Sequence, residues 1–391
     1  MRANLNFIFI LKSFLKIGLT SFGGHAALVS VLQEELVKKK KVISDEMILE
    51  GLSIASLLPG PLAVNVVAYI GYQLRGWFGA ISSITVVLLP STALIVIIAK
   101  LYGVYGNLEP VNAFLSGVIP VIIALILSLC YNMFTKHISK TWQYISCGVI
   151  LISEFFLNSY LWIVIFIAIG GITGYFFCEK PEGQTGVEVV KEKNEYGRKH
   201  LFYGLIFFAT IFIALYFWLN GINHQLLFEF AKVSLTLFGG GYVMIPILHE
   251  IVVNNFHWLS PVEFANAIAF GQITPGPILV SATYVGFVTG GILGASFATF
   301  GIFVPSAITM IFVGKIFANI KGHPLVDGIM RGIRPVIIAL IAYSGYILFK
   351  SLDHLLFSAL ITSSSFIIIT YTKFNYFLLI LIAGVAGLLF F

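Results

Sequence analysis

The chain has 391 residues, of which 59% are apolar and only 10% are charged, and its mean hydropathy is +0.98. This composition indicates an integral membrane protein and excludes an ordinary soluble or disordered chain. Much of the net charge of +6 lies in short loops, which membrane topology explains better than a nucleic-acid partner does, so none is expected. Apolar runs of about 18 residues recur, which favours spanning helices over a β-barrel.

The N-terminal stretch, residues 1–24, is apolar, carries Lys12 and Lys16, and has no small-residue cleavage site. It is therefore predicted to belong to the mature protein. The three cysteines, Cys130, Cys147 and Cys178, form no C-x-x-C pair, so no metal site, disulfide framework or cofactor is predicted.

Two apolar segments of the first half have lengths that do not suit simple crossings. Residues 5–37 would form a helix about 50 Å long, against a hydrocarbon core of about 30 Å. Breaking this segment at Phe22-Gly23-Gly24, and residues 45–75 at Pro59-Gly60-Pro61, gives arms of about half that length. Each segment is therefore predicted to be a re-entrant hairpin that enters and leaves on one side.

Ordinary spans are predicted next, at 77–101, 111–134, 141–157 and 159–177. The charged, apolar-poor stretch that follows is predicted to be a cytoplasmic linker. The predicted division is a first membrane repeat, 1–178, the linker, 179–200, an additional transmembrane helix, 201–219, and a second membrane repeat, 220–391.

The two halves match each other in sequence. A shift of 216 aligns the first segment of each half and both Pro-Gly-Pro motifs, and a shift of 215 aligns the rest. The aligned pairs are Phe14 and Phe230, Lys16 and Lys232, Thr20 and Thr236, Phe22-Gly23-Gly24 and Phe238-Gly239-Gly240, Glu34 and Glu250, Ser44 and Ser260, Pro59-Gly60-Pro61 and Pro275-Gly276-Pro277, Tyr69 and Tyr284, Pro90 and Pro305, and Gly117 and Gly332.

Basic residues predict opposite orientations for the two halves, because cytoplasmic loops collect Lys and Arg. If both hairpins of the first half open to the cytoplasm, the additional helix inverts the second half. Lys350 is then the one loop-proximal exception to the rule. The basic residues placed inside are Arg2, Lys38 to Lys41, Arg75, Lys136, Lys140, Lys191, Lys193, Arg198, Lys199, Lys315, Lys321, Arg331 and Lys373. The predicted fold class is an all-α integral membrane protein with an inverted-topology tandem repeat.

Inverted repeats with interrupted helices are typical of secondary transporters, whose substrate lies at mid-membrane between the repeats. Helices that begin at the breaks present unpaired N–H groups and positive dipole ends, which favours an anion. The candidate substrate-binding residues are Lys16, Phe22, Gly23, Gly24, His25, Pro59, Gly60, Pro61, Asn65, Lys232, Phe238, Gly239, Gly240, Pro275, Gly276 and Pro277.

The same motifs make the chain resemble the chromate ion transporter family in its long, duplicated form. The resemblance rests on "TSFGGH" with "LLPGPLAVNVVAYIGYQLRGWFGA" and on "TLFGGGYVMIPIL" with "ITPGPILVSATYVGFVTGGILGA". It implies a plasma-membrane transporter that exports chromate, a tetrahedral dianion like sulfate, driven by the membrane potential or the proton gradient. Sulfate remains an alternative substrate, and a homodimer is one option for the assembly.

Further ionisable and aromatic residues are candidates for coupling or gating, each beside a simpler interpretation. They are Glu34, Glu50, Glu250, Arg75, Tyr69 and Tyr284. The carboxylates and Arg75 could equally be interfacial or ion-paired, Lys16 and Lys232 could extend to an interface, and the tyrosines and His25 could pack. A passive anion channel is the nearer rival function. An intramembrane enzyme would need a nucleophile or metal cluster, and the sequence offers neither.

Overall fold

The computed structural model describes residues 7–22, 24–157, 159–177, 198–236, 241–317, 324–352, 354–372 and 374–390. These residues form helices and connecting turns, with no β-strand among them. The α-helices are α1 Phe7–Thr20, α2 Gly24–Leu32, α3 Asp45–Ala55, α4 Leu62–Tyr105, α5 Glu109–His137, α6 Thr141–Glu154, α7 Tyr160–Phe177, α8 Arg198–Trp218, α9 Gly221–Thr236, α10 Met244–His249, α11 Pro261–Ile273, α12 Ser281–Phe317, α13 Pro324–Lys350, α14 Leu355–Tyr371 and α15 Tyr376–Phe390.

Five stretches within these helices are long and apolar enough to cross a bilayer. They are Leu62–Tyr105, Glu109–His137, Tyr160–Phe177, Ile278–Gly314 and Val326–Lys350. Helical backbone satisfies its own hydrogen bonds, which is the requirement that hydrocarbon imposes on a spanning segment. The helices agree with the prediction of a multi-pass, all-helical membrane protein.

The chain forms two compact units, and neither coincides with a sequence half. Unit 1 contains residues 1–99, 187–241 and 274–321, and unit 2 contains residues 100–186, 242–273 and 322–391. Each unit therefore takes helices from both halves of the chain. Both Pro-Gly-Pro motifs belong to unit 1.

The duplication is also visible in the irregular parts of the backbone. Each irregularity of the first half has a counterpart at the same sequence register in the second. The pairs are the π-helices Gln33–Lys39 and Glu250–Asn255, the positive φ of Lys41 and His257, that of Gly60 and Gly276, and the kinks at Arg75-Gly76 within α4 and Gly290-Gly291 within α12. The capping serines Ser44 and Ser260 start α3 and α11 in the same way. The repeat thus preserves local backbone geometry as well as sequence.

Glycines permit the close helix approaches inside each unit. In unit 1, a Cβ on Gly18 of α1 would overlap the Val87 carbonyl of α4. In unit 2, a Cβ on Gly117 of α5 would overlap the Ala383 carbonyl of α15, and one on Gly332 of α13 would overlap the Gly170 carbonyl of α7. Small residues allow helix backbones to approach each other in membranes, where packing replaces the hydrophobic effect as the driving force.

Candidate functional site

The first Pro-Gly-Pro motif lies between two helices of unit 1. Helix α3 ends at Ala55 and α4 begins at Leu62, directly after Pro61. Gly60 has φ +113°, a conformation that only glycine adopts readily, and Gly60 and Pro61 are both buried. Because a helix leaves its first N–H groups without intrahelical acceptors, the start of α4 provides backbone donors directly after this turn.

The second motif has the same local geometry. Gly276 has φ +119°, and Pro275, Gly276 and Pro277 are all buried. A single 3₁₀ turn, Ile278–Val280, leads from the motif into α12. The Gly276 N–H donates to the Ser21 carbonyl at 2.8 Å, which joins this motif to the residue that follows α1 of the other half.

Each motif packs against a serine contributed by the opposite half of the chain. A Cβ on Gly60 would overlap the Ser306 side chain, and a Cβ on Gly276 would lie 3.0 Å from the Ser91 hydroxyl. Ser91 on α4 and Ser306 on α12 follow Pro90 and Pro305, which the repeat aligns. The two motifs therefore make reciprocal contacts, each with the Pro-Ser pair of the other repeat.

The surroundings of these contacts are polar although they are buried. Asn65 is 0% exposed, and its side-chain amide donates to the Pro59 carbonyl at 3.2 Å. Its Oδ1 atom has no hydrogen-bond partner among the described residues. The Ser306 N–H donates to the Ser234 hydroxyl at 3.3 Å. Several neutral hydrogen-bonding groups thus meet around Gly60.

Ser91 and Ser306 were not among the candidates drawn from the sequence. The repeat in the sequence does point to them, because the register that pairs Pro90 with Pro305 also pairs the serines that follow these prolines. Single serines in apolar helices are common, since the hydroxyl can bond to the preceding turn, as Ser91 does to the Leu88 carbonyl at 2.9 Å. Only the three-dimensional contact separates these two from other helical serines.

The structure describes only some residues of the two Phe-Gly-Gly motifs. Phe22 follows α1 and is 45% exposed, and Gly24 begins α2. Gly23 and the His25 side chain lie outside the described residues, as does the whole second motif, Phe238-Gly239-Gly240. Their role in binding stays a prediction.

Both candidate lysines form ion pairs and are more than half exposed. Lys16 Nζ lies 2.8 Å from Glu35 Oε2, and the Glu35 side chain is only 5% exposed. Lys232 Nζ lies 2.6 Å from Glu229 Oε1 on the same helix. A lysine neutralised by a carboxylate contributes less positive potential to an anion site than a free lysine would. The described geometry therefore favours the backbone and hydroxyl donors over the lysines as anion ligands.

The candidate coupling carboxylates occupy different environments. Glu34 pairs with Lys39 at 2.6 Å, and both side chains are more than half exposed. Its counterpart Glu250 is 6% exposed and accepts a hydrogen bond from the Asn254 amide at 2.6 Å. Glu50 is half-buried on α3. The repeat therefore places one member of the Glu34 and Glu250 pair at a surface and the other in an interior.

The remaining candidates lie on α4 and α12. The Arg75 guanidinium lies 5.9 Å from the centre of the Phe7 ring, at the kink of α4. Tyr69 is 5% exposed, and its ring lies so close to Gly51 on α3 that a Cβ on that glycine would be 3.0 Å from the ring. Tyr284 is 1% exposed. Both tyrosines are part of the packed interior of unit 1.

Chemically, this arrangement can bind a ligand but offers little for bond cleavage. Among the described residues no group of three or more His, Cys, Asp or Glu side chains could hold a metal ion. The hydroxyls of Ser91 and Ser306 donate to the Leu88 and Phe303 carbonyls in this conformation and can rotate to donate to an anion instead. Backbone N–H groups at a helix start can donate to an anion as well. Such donors suit the recognition of an oxyanion that leaves the protein unchanged.

Comparisons with known proteins also indicate a transport protein. The family model described as "Chromate transporter" matches residues 8–175 and again 224–388. An uncharacterized transporter of Methanocaldococcus jannaschii is 28% identical over 99% of this chain and 95% of its own length. A probable chromate transport protein of Synechococcus elongatus is 27% identical, covering 82% of this chain and 79% of its own length. A chromate transport protein of Cupriavidus metallidurans is 26% identical, covering 86% and 81%.

No solved structure matches the chain. The family model covers both halves, with a break at the linker, and so describes the same duplication as the aligned motifs and the paired backbone irregularities. The chain therefore belongs to the chromate transporter family, as a transport protein of duplicated form.

Proposed function

We propose that the protein is a secondary active transporter that exports chromate, with sulfate as the alternative tetrahedral oxyanion. The observation that carries the proposal is the reciprocal contact of Gly60 with Ser306 and of Gly276 with Ser91. Secondary transporters place their substrate between repeats, at helices that are interrupted there. Names of similar proteins from Synechococcus elongatus and Cupriavidus metallidurans supply the substrate class.

The proposed architecture is an inverted repeat in the plasma membrane. Residues 1–178 and 220–391 are the two membrane repeats, residues 179–200 are a cytoplasmic linker, and the helix within 201–219 reverses the second repeat. Paired irregularities such as the kinks at Arg75-Gly76 and Gly290-Gly291 support a common local fold. The opposite orientation rests on the distribution of Lys and Arg.

In this proposal the anion is bound by neutral donors. The first N–H groups of α4, the hydroxyls of Ser91 and Ser306, and the Asn65 amide all belong to the interior of unit 1. A helix N-terminus contributes a favourable interaction with an anion, and hydrogen bonds to a charged group are worth about 1.5–3 kcal/mol each. Several such donors together compensate a dianion for part of its lost hydration.

Burial of these groups favours a transporter over an open channel. Asn65, Ser91 and Ser306 are each 0% exposed, so an ion from solution does not reach them in this conformation. Access requires a conformational change that opens the site to one side, as alternating access provides. Entry of protons or the membrane potential would then drive export.

Counterflow in proteoliposomes tests the proposal. Proteoliposomes that contain the purified protein and are preloaded with chromate should take up labelled chromate faster than protein-free vesicles. Repeating the assay with sulfate, molybdate and phosphate ranks the oxyanions. Ser306→Ala and Ser91→Ala should each weaken anion affinity about tenfold or more, by the loss of a hydrogen bond to a charged group. The matched control is Ser296→Ala, which removes an exposed hydroxyl on the same helix α12. Conductance without counterflow would establish a channel instead and refute the proposal.

A further inference from the structure

Glu154, the last residue of α6, is a buried acid that the proposed anion site does not use. The side chain is 0% exposed, and neither carboxylate oxygen has a hydrogen-bond partner among the described residues. Buried polar groups are normally hydrogen-bonded, so two unpartnered oxygens on one carboxyl group call for an explanation.

A second buried carboxylate belongs to the electrostatic surroundings of the first. Glu250 is 6% exposed and interacts electrostatically with Glu154. Both residues belong to unit 2 and come from opposite halves of the chain. Two like charges repel each other more strongly in a poorly hydrated interior than in water.

Among the described residues, the ionisable groups that act on Glu154 are Glu250 and Tyr343. Helix α6 packs against α13, whose Tyr343 interacts with both Glu154 and Glu250, and Tyr346 stacks on Tyr343 with ring centres 5.9 Å apart. Lys350, further along α13, acts on His249, the residue before Glu250. No cation among the described residues acts on Glu154. The Glu154 carboxyl is therefore compatible with this interior when it carries a proton, and an ionised form requires access to water.

A purely structural role for Glu154 is physically unfavourable. Its oxygens have no hydrogen-bond partner in the described part of the chain, and a buried group of this kind costs stability relative to an apolar residue of similar volume. Ionisable residues inside membrane proteins are expensive, and proton relays are among the functions that retain them.

We propose that Glu154 is the proton-binding residue of the transport cycle, an inference that rests on the proposed export of an oxyanion. Glu154 takes up one proton, forming a carboxyl O–H bond, when unit 2 exposes it to one side of the membrane. It carries the proton through the closed conformation and releases it to water on the other side. Linkage between proton and anion binding then makes chromate affinity depend on pH.

Proteoliposomes that contain a trapped pH-sensitive dye test this proposal together with chromate counterflow. Wild-type protein should move protons whenever it performs net chromate transport. Glu154→Gln, which mimics the protonated acid in shape, should keep chromate exchange and lose the proton flux and its pH dependence. The matched control is Glu109→Gln, which alters an exposed carboxylate of the same unit and should keep both activities.

The outcomes separate the two proposals. Absence of chromate movement by the wild type would refute the proposed function itself. Chromate movement without proton flux in the wild type, or proton flux retained by Glu154→Gln, would overturn the proton site alone.

A direct measurement covers the case in which the variants do not fold. A hydrophobic carbodiimide, which reacts with protonated carboxyl groups in apolar surroundings, should modify Glu154 of the wild-type protein. Peptide mass spectrometry should find more modification in mildly acidic than in alkaline buffer. Absence of modification at Glu154 would overturn the assignment.

Discussion

Alanine at Gly60 tests the contact on which the proposed site depends. The backbone there has φ +113°, and holding a residue with a side chain in such a conformation costs about 1–3 kcal/mol. The new Cβ would also overlap the Ser306 side chain, and forcing extra volume into a packed interior costs about 1–3 kcal/mol more. Gly60→Ala is therefore expected to lose about 2–6 kcal/mol of stability.

Two other glycines separate these contributions. At Gly276, with φ +119°, a Cβ would lie 3.0 Å from the Ser91 hydroxyl, which is tight without a full overlap. At Gly291, with φ +63°, a Cβ would meet nothing within 4 Å, so Gly291→Ala measures backbone strain alone. Thermal unfolding in detergent should rank the midpoints in the order Gly291→Ala, Gly276→Ala, Gly60→Ala, from highest to lowest.

A double variant isolates the overlap itself. Ser306→Gly removes the atoms that an alanine at position 60 would strike, at a helix cost of about 0.5–1 kcal/mol. Gly60→Ala combined with Ser306→Gly should therefore be less destabilised than the sum of the single variants, with a coupling of about 1–3 kcal/mol. Chromate counterflow should stay impaired in the double variant, because the Ser306 hydroxyl is missing. Equal stability of Gly60→Ala and Gly291→Ala, with no coupling to Ser306, would refute the reciprocal contact.

Two further predictions concern the Lys16–Glu35 ion pair and the topology. Lys16→Ala should destabilise the protein, because it leaves the Glu35 carboxylate buried without its ion-pair partner. Adding Glu35→Gln should recover part of the melting temperature, and additivity of the two changes would contradict this account. Ser44→Cys and Ser260→Cys should react with a membrane-impermeant thiol reagent from opposite sides of the membrane in intact and inverted vesicles, since the halves are proposed to be inverted. Labelling of both from the same side would rule out the inverted repeat.

The sequence established the membrane class, the helical composition and the duplication, because these depend on hydropathy and on residues repeated at a fixed register. It also placed the turns at Pro59-Gly60-Pro61 and Pro275-Gly276-Pro277, since proline and glycine act locally on the backbone. The positive φ of both glycines is the local geometry that these residue types permit.

Other features depended on which helices pack together, and the sequence did not reveal them. Sequence reasoning selected Lys16 for its charge, but its pairing with Glu35 depends on how α1 packs against the following π-helix. Glu34 and Glu250 are equivalent in the repeat, yet one is exposed and the other is buried and interacts electrostatically with Glu154.

The contacts of Ser91 with Gly276 and of Ser306 with Gly60 likewise join residues 185 and 246 positions apart in the chain. Local propensity and periodicity act over a few turns of helix, so the sequence determined the elements and their repetition. Burial and the partner of each polar group arise from contacts between distant helices, and only the tertiary structure decided them.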